Sequence, residues 1–373
     1  MILFPSSDIN MIVMQRWTTK YFFLITATLV STYLVAFTWL RAPSTISNES
    51  IDRASPLQET AVECDTFDLL DPTSACFVTP SKHAYATILT GFNGADSEKY
   101  FTAVRLLTYQ LVHDPDTRAR NGIRFAVLVT KDVSQQKREI LKQDGAVVLP
   151  VDSLTREWIH PKWARWNDVM AKLNLWTLTD YEKIVFMDAD TVILHRLDGI
   201  FADSATTFQQ TAPPRSNPDE NKALASFPDR YMIAGIHDRW VEENLLPNPA
   251  TGMLYATDNY LNAGFLVLAP SPEMFEYYLA LLDQPDRFDL TYPEQNLLNY
   301  AHRTDGRMPW RNLGVYWNAM TSLNQPFLGD VRSLHHKWWE KLRDRTVNEF
   351  VSETMGKMMA LHNMTRDVRD ETH

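Results

Sequence analysis

Residues 183–194 read Lys-Ile-Val-Phe-Met-Asp-Ala-Asp-Thr-Val-Ile-Leu, an apolar, β-branched run that climbs to two carboxylates and then resumes. Such a run is expected to be a buried parallel strand that delivers Asp188 and Asp190 to its carboxyl end, the end where open α/β sheets bind ligands. Acids at i and i+2 on a strand share a face, so both reach one hard cation, and a cation suits a substrate carrying a diphosphate. Two adjacent carboxylates repel unless positive charge sits between them. The competing expectation is a strand that stops in a polar turn.

Upstream, strands are predicted at 84–90, 123–130 and 146–151, and helices at 99–112, 135–142 and 166–178. The first helix carries Phe101, Val104, Leu107 and Leu111 on one face, and the third carries Trp166, Val169, Leu173 and Trp176. Strands alternating with helices of this length predict a mainly parallel sheet with right-handed crossovers. Downstream, 202–259 turns Pro-rich and polar and reads as an insertion. Regular pattern returns with a strand at 261–268, helices at 272–282 and 294–302, a strand at 331–335 and a helix at 347–361.

The chain has 373 residues, 45% of them hydrophobic, enough for one large α/β domain with appendages. A net charge of -10 argues against nucleic acid as a partner, because phosphate backbones are bound by basic faces. Residues 21–40 are uncharged and mostly apolar, the length of a bilayer core. Arg16 and Lys20 precede this span and acidic residues follow it. That places a tail of 1–20 in the cytoplasm and everything beyond residue 41 in a lumen or outside. Residues 41–81 read as a stem. Cys64 and Cys76 either pair in an oxidising compartment or remain free thiols. Asn48 and Asn363 begin glycosylation sequons on the luminal side.

The order of these features resembles glycosyltransferase family 8, the glycogenin-like retaining nucleotide-sugar transferases. Residues 171–181, Ala-Lys-Leu-Asn-Leu-Trp-Thr-Leu-Thr-Asp-Tyr, followed by the Asp-x-Asp strand, are similar to that family's lysine-bearing helix and metal-binding strand. The resemblance runs with gaps from His83 to His336, and the His-Lys-Trp-Trp run resembles fungal membrane-anchored members. It implies a single Rossmann-like domain of GT-A type with a mixed, mostly parallel sheet at 82–345, followed by a C-terminal helix and tail at 346–373. It also implies a Golgi or other secretory-pathway location, type II topology and retention of anomeric configuration.

Residue by residue, the resemblance gives Thr87, Thr90 and Tyr100 to the uracil and ribose. Asp188, Ala189 and Asp190 go to the Asp-x-Asp turn, with Asp188 also touching ribose. Lys172 is matched to the lysine that contacts the donor, and Asn262, Ala263 and Gly264 to the sugar-contacting strand entry. Gln295 falls nearest the anomeric centre, with Glu294 standing where Asp is usual. The metal is Mn²⁺ or Mg²⁺, held by Asp188, Asp190 and His335. Strand alternation with Val331 and Ser333 favours His335 over the adjacent His336. Lys337 takes the diphosphate side, without the usual Lys-Pro-Trp. The donor is a UDP-sugar and the acceptor a hydroxyl on a glycan, a glycoprotein or another molecule.

Two other classes fit parts of the chain. Asp188-Ala-Asp-Thr-Val192 matches the Asp-x-Asp-x-Thr/Val pattern of aspartyl-nucleophile phosphatases, in which the pattern lies on an early strand and the lysine follows it. A non-catalytic luminal protein on the same fold is the other, favoured by Glu294 and the missing Lys-Pro-Trp.

Overall fold

The computed structural model describes residues 80–371 apart from 92–93, 95, 162–165, 214–226, 239–259, 286, 321–330 and 340–344. The expected span at 21–40, nearly all of the stem, Cys64, Cys76 and Asn48 lie outside the described residues. Among the described residues no helix is long and apolar enough to cross a membrane.

Four strands build the first half: β1 (His83–Leu89), β2 (Arg124–Thr130), β3 (Val147–Val151) and β4 (Lys183–Met187). The first three lie within a residue of the sequence expectation at their ends. β4 instead stops at Met187, so Asp188 and Asp190 stand in the turn after the strand and not on it, and the resumed apolar run joins a different sheet. Helix α1 (Ser97–Thr108) continues into a π-helical turn, Tyr109–His113, and α2 (Gln135–Gln143) begins at Ser134, whose side chain accepts from the Lys137 N–H. Short strands β5 (Thr191–Ile193), β6 (Gln209–Gln210) and β7 (Arg230–Tyr231) precede β8 (Ile233–His237) and β9 (Leu261–Leu268). Helices α3 (Pro272–Leu282) and α4 (Pro293–Ala301) follow, each with Pro in its first turn, where a missing N–H costs nothing. The chain continues through β10 (Arg311–Asn312), β11 (Ala319–Met320) and β12 (Ser333–His335) to helix α5 (Arg345–Glu371).

The main sheet has seven strands in the order β10-β8-β9-β4-β1-β2-β3. β1, β2, β3 and β4 pair in parallel, while β9 is antiparallel to both neighbours, β4 and β8. The result is the mixed, mostly parallel sheet expected. Alternation splits its side chains between two cores. Tyr85, Val185 and Met187 face one with α1, and Ala84, Ile184 and Phe186 face the other with α3 and α4. A smaller sheet, β11-β12-β5, pairs β12 antiparallel to β5 with His335 opposite Thr191. It packs with Val347, Val351 and Met358 of α5. Helix α5 therefore starts near the expected point and runs ten residues further than the apolar periodicity indicated.

Two further expectations need correction. Residues 169–177 form a 3-10 helix, where an α-helix is predicted. Three residues per turn eclipse i and i+3, so Met170, Leu173 and Trp176 make one apolar row while Lys172 falls on the next. The predicted insertion at 202–259 is also not all insertion. Its residues 233–237 form β8, a buried strand of the main sheet, hidden because Ile-Ala-Gly-Ile-His is short and rich in small residues.

Candidate active site

β4 ends at Met187, and the next residue, Asp188, donates its N–H to the Gly264 carbonyl of β9 at 2.8 Å. Three residues on, β5 pairs with β12, and this brings His335 beside the Asp-x-Asp turn. His335 Nε2 lies 3.3 Å from Asp190 Oδ1 and 3.9 Å from Asp188 Oδ2. One ligand atom from each of the three residues falls within 4.8 Å of the others. The neighbouring His336 instead donates its backbone N–H to the Asp190 carbonyl at 2.9 Å.

The electrostatics of the cluster call for positive charge. Burial works against a charged His335, yet Asp190 and then Asp188 hold its pKa up at about 9. Burial raises the Asp190 carboxyl, and His335 more than reverses this, so Asp190 ends below its ordinary value. Asp190 Oδ1 is buried and faces His335 Nε2 at 3.3 Å. Two carboxylates and an imidazole converging in this way form a donor set that suits a divalent cation that prefers oxygen and tolerates nitrogen. Gly264 leaves the room: a Cβ there would sit 2.2 Å from His335 Cε1 and 2.8 Å from Asp188 Oδ2.

Lys172 reaches this centre from the 3-10 helix. Its side chain is 2% exposed, with Nζ 2.9 Å from Glu294 Oε1, 3.1 Å from Asp188 Oδ1 and 3.2 Å from the Ala263 carbonyl, which accepts from it. Burial alone lowers its pKa, but Asp188 and Glu294 overcome that and raise it above the ordinary lysine value. An ammonium has three N–H donors, and these partners take all three. Lys172 is therefore a fixed charge that sets two carboxylates beside the expected donor site. Glu294, the departure from the family pattern, is integrated into the site through this pair.

Gln295 and Asn262 are oriented by a residue the sequence reading missed. Asp238, buried just beyond β8, accepts on one oxygen from Gln295 Nε2 at 2.8 Å and Asn262 Nδ2 at 3.1 Å. Gln295 Oε1 accepts from the Ala263 N–H at 2.9 Å, and Asn262 Oδ1 from the Gly264 N–H at 2.8 Å. The signal was present: residues 231–238, Tyr-Met-Ile-Ala-Gly-Ile-His-Asp, are an apolar run ending on a carboxylate, as at Asp188. The 262–264 segment, expected as the entry of a strand at 261–268, is the start of the fully buried strand β9 with those bounds.

The remaining expected residues surround the cluster less closely. Thr87 is buried in β1 with its hydroxyl unpartnered, and Thr90 lies half-buried just beyond the strand. Tyr100 packs edge-on to Trp339 with centroids 5.0 Å apart. Ala189 is buried, and Lys337 adds positive charge near Asp190.

The sheet order, the antiparallel β9 beside β4 and the Asp-Asp-His cluster at their junction define a mixed, mostly parallel α/β domain with a candidate divalent-metal site at the end of β4. No family model matches the sequence. Over 319 residues the chain is 25% identical to an uncharacterized protein of Schizosaccharomyces pombe, an alignment covering 76% of this chain and 81% of that one. It is 23% identical over 313 residues to galactinol synthase 4 of Arabidopsis thaliana, covering 72% and 84%. The solved structure of the galactosyltransferase LgtC with donor and acceptor sugar analogs aligns over 74% of this chain and 95% of that one, at 17% identity and a TM-score of 0.43.

Proposed function

We propose that the protein is a metal-dependent retaining glycosyltransferase that moves a sugar from a UDP-sugar to an acceptor hydroxyl, in the lumen of the secretory pathway. The observation that carries this reading is the meeting of Asp188, Asp190 and His335 at the carboxyl end of β4, against the glycine of β9. Sequence similarity to a galactinol synthase supports transfer chemistry, and the uncharged run at 21–40 supports membrane attachment and the luminal location.

Asp188, Asp190 and His335 would hold Mn²⁺ or Mg²⁺, which when bound supplies positive charge to the leaving diphosphate. Lys172 keeps Asp188 and Glu294 ionised and in place within a buried setting, where fixed charges act strongly. Gln295 is held at both ends of its amide, by Ala263 and Asp238, so its position beside the sugar is set before substrate arrives. Thr87, Thr90 and Tyr100 take the nucleoside side. The phosphatase reading fits poorly, because β4 follows three strands and Lys172 precedes the Asp-x-Asp turn.

The test is UDP release by the purified full chain with a panel of UDP-sugars, with Mn²⁺ and with chelator. The expected result is release from one or a few donors in Mn²⁺ only, and its loss in Asp190→Ala. Metal-independent release, or a fully active Asp190→Ala protein, rejects the reading. Phosphate release from generic esters without a UDP-sugar would revive the phosphatase.

A further inference from the structure

We infer that the protein has a second ligand site, a cavity at the end of the main sheet opposite the metal cluster, and that its ligand is a saccharide. The site is a place of binding and stands apart from the function proposed above. Its cavity holds about 610 Å³, within the range of small-molecule sites. It opens between Tyr181 and Glu182 just before β4, the residues entering β7, and the turn from β9 into α3. β4 and β9 run antiparallel, with Ile184 opposite Leu268 and Met187 opposite Phe265. The metal cluster gathers past Met187, whereas the cavity lies before Lys183. At about 3.3 Å per residue, the strand keeps Glu182 roughly 20 Å from Asp188.

The walls of the cavity are fixed by its own fold. Gln210 of β6 pairs with Arg230 of β7, and the Thr211 N–H donates to the Asp229 carbonyl at 2.9 Å. Ser271 caps α3, its hydroxyl accepting from the Met274 N–H at 3.2 Å and donating to Glu273 Oε2 at 2.7 Å. The Arg230 guanidinium lies 4.5 Å from the centroid of the Phe208 ring, and that of Arg307 lies 4.2 Å from the centroid of Phe227.

Charge then selects the ligand class. Glu182, Asp229 and Glu273 line the cavity against a single lining arginine, Arg230, so a phosphate or nucleotide is repelled. An organic cation needs open aromatic faces, but two of the lining rings, Phe208 and Phe227, already carry guanidinium groups. What fits is a neutral molecule that both donates and accepts hydrogen bonds and has an apolar face. The hydroxyls of a sugar donate to carboxylates and accept from a guanidinium, while its C–H face packs on aromatic rings. Tyr181, Phe208 and Phe227 are half-buried and supply that wall, and the exposed Glu182, Asp229 and Arg230 supply the polar rim.

The experiment is saturation-transfer NMR on the full chain with maltose, cellobiose, lactose and chitobiose, and with tetralysine as the cationic competitor. At least one disaccharide is expected to bind wild type. Its Kd should rise at least fivefold in Arg230→Ala and in Asp229→Ala, and move less than twofold in Asp190→Asn. Both rim residues are exposed, so circular dichroism of the two alanine variants should match wild type. Should either fail to fold, Glu182→Gln, which keeps the shape of the side chain, takes its place with the same expected rise. Absence of disaccharide binding to wild type, unchanged affinity in the rim variants, or tighter binding of tetralysine overturns the site. So does loss of binding in Asp190→Asn, which would assign the sugar to the metal cluster. A chain that releases no UDP from any UDP-sugar defeats the proposed transferase and leaves this binding measurement intact.

Discussion

At the residue scale, Gly264 and Lys172 make the sharpest claims. A methyl group at 264 collides with two members of the cluster at once, His335 Cε1 and Asp188 Oδ2. Gly264→Ala is therefore expected to lower Mn²⁺ affinity at least tenfold, read by isothermal titration, while far-ultraviolet circular dichroism stays at the wild-type signal. Removing Lys172 leaves Asp188 and Glu294 without their shared counter-charge. Breaking such a buried pair costs on the order of 3 kcal/mol. Because Asp188 is one-third exposed, the loss in Lys172→Met should fall below that figure. Denaturant unfolding of Lys172→Met beside Lys172→Met/Glu294→Gln checks this, with the double variant expected to recover part of the loss. Wild-type stability in Lys172→Met would contradict the role given to the ammonium.

At the scale of elements, the strand carrying the Asp-x-Asp turn was legible because a buried parallel strand is a continuous apolar run and its two acids break that run visibly. β8 and Asp238 carried the same signal in weaker form, diluted by small residues and by the polar sequence on either side. The 3-10 helix was misjudged because apolar spacings of three and four suit both helix types, and only packing decides between them. Partners brought in from distant sequence, such as Glu294 against Lys172, have no local signature.

Two elements yield predictions. Gln110, in the π-helical turn, donates to the Ile193 carbonyl at 2.6 Å and accepts from the Ile193 N–H at 3.1 Å, standing in for a strand neighbour of β5. Gln110→Leu strands both buried backbone groups and should cost about 2 kcal/mol in denaturant unfolding. His302, just past α4, takes a hydrogen bond from the Tyr278 hydroxyl on Nε2 and donates from Nδ1 to the Met308 carbonyl, so the buried ring is neutral. Burial lowers its pKa from 6.5 to about 4. A histidine with a depressed folded pKa stabilises the fold above pH 6.5 and loses that contribution as pH falls toward 4, a change of about 3 kcal/mol. Stability measured from pH 7 to pH 4 should fall more steeply in wild type than in His302→Gln, and equal slopes would refute the assignment.

At the scale of the molecule, the site sits where two sheets meet. The main sheet supplies Asp188, Asn262 and Gly264, and the small sheet fixes His335 opposite Thr191. Helix α5 packs against that small sheet, so the placement of His335 depends on an element far from the Asp-x-Asp turn. Arg105, Asp144 and His362 tie the same helix to α1 and the end of α2, with Arg105 Nε 2.6 Å and His362 Nε2 3.1 Å from Asp144. Paired Val347→Ala and Val351→Ala substitutions remove buried aliphatic groups that back β12 and should cost a few kcal/mol.

The central claim is that Asp188, Asp190 and His335 hold a divalent cation for transfer from a nucleotide sugar. Mn²⁺ titration of the wild-type chain and of Asp190→Asn, each assayed in parallel for UDP release from its best UDP-sugar, tests it most directly. The account predicts that wild type binds one ion and releases UDP only when it is bound, and that Asp190→Asn loses both together. UDP release from Asp190→Asn at the wild-type rate, or Mn²⁺ binding with wild-type affinity in that variant, would contradict it.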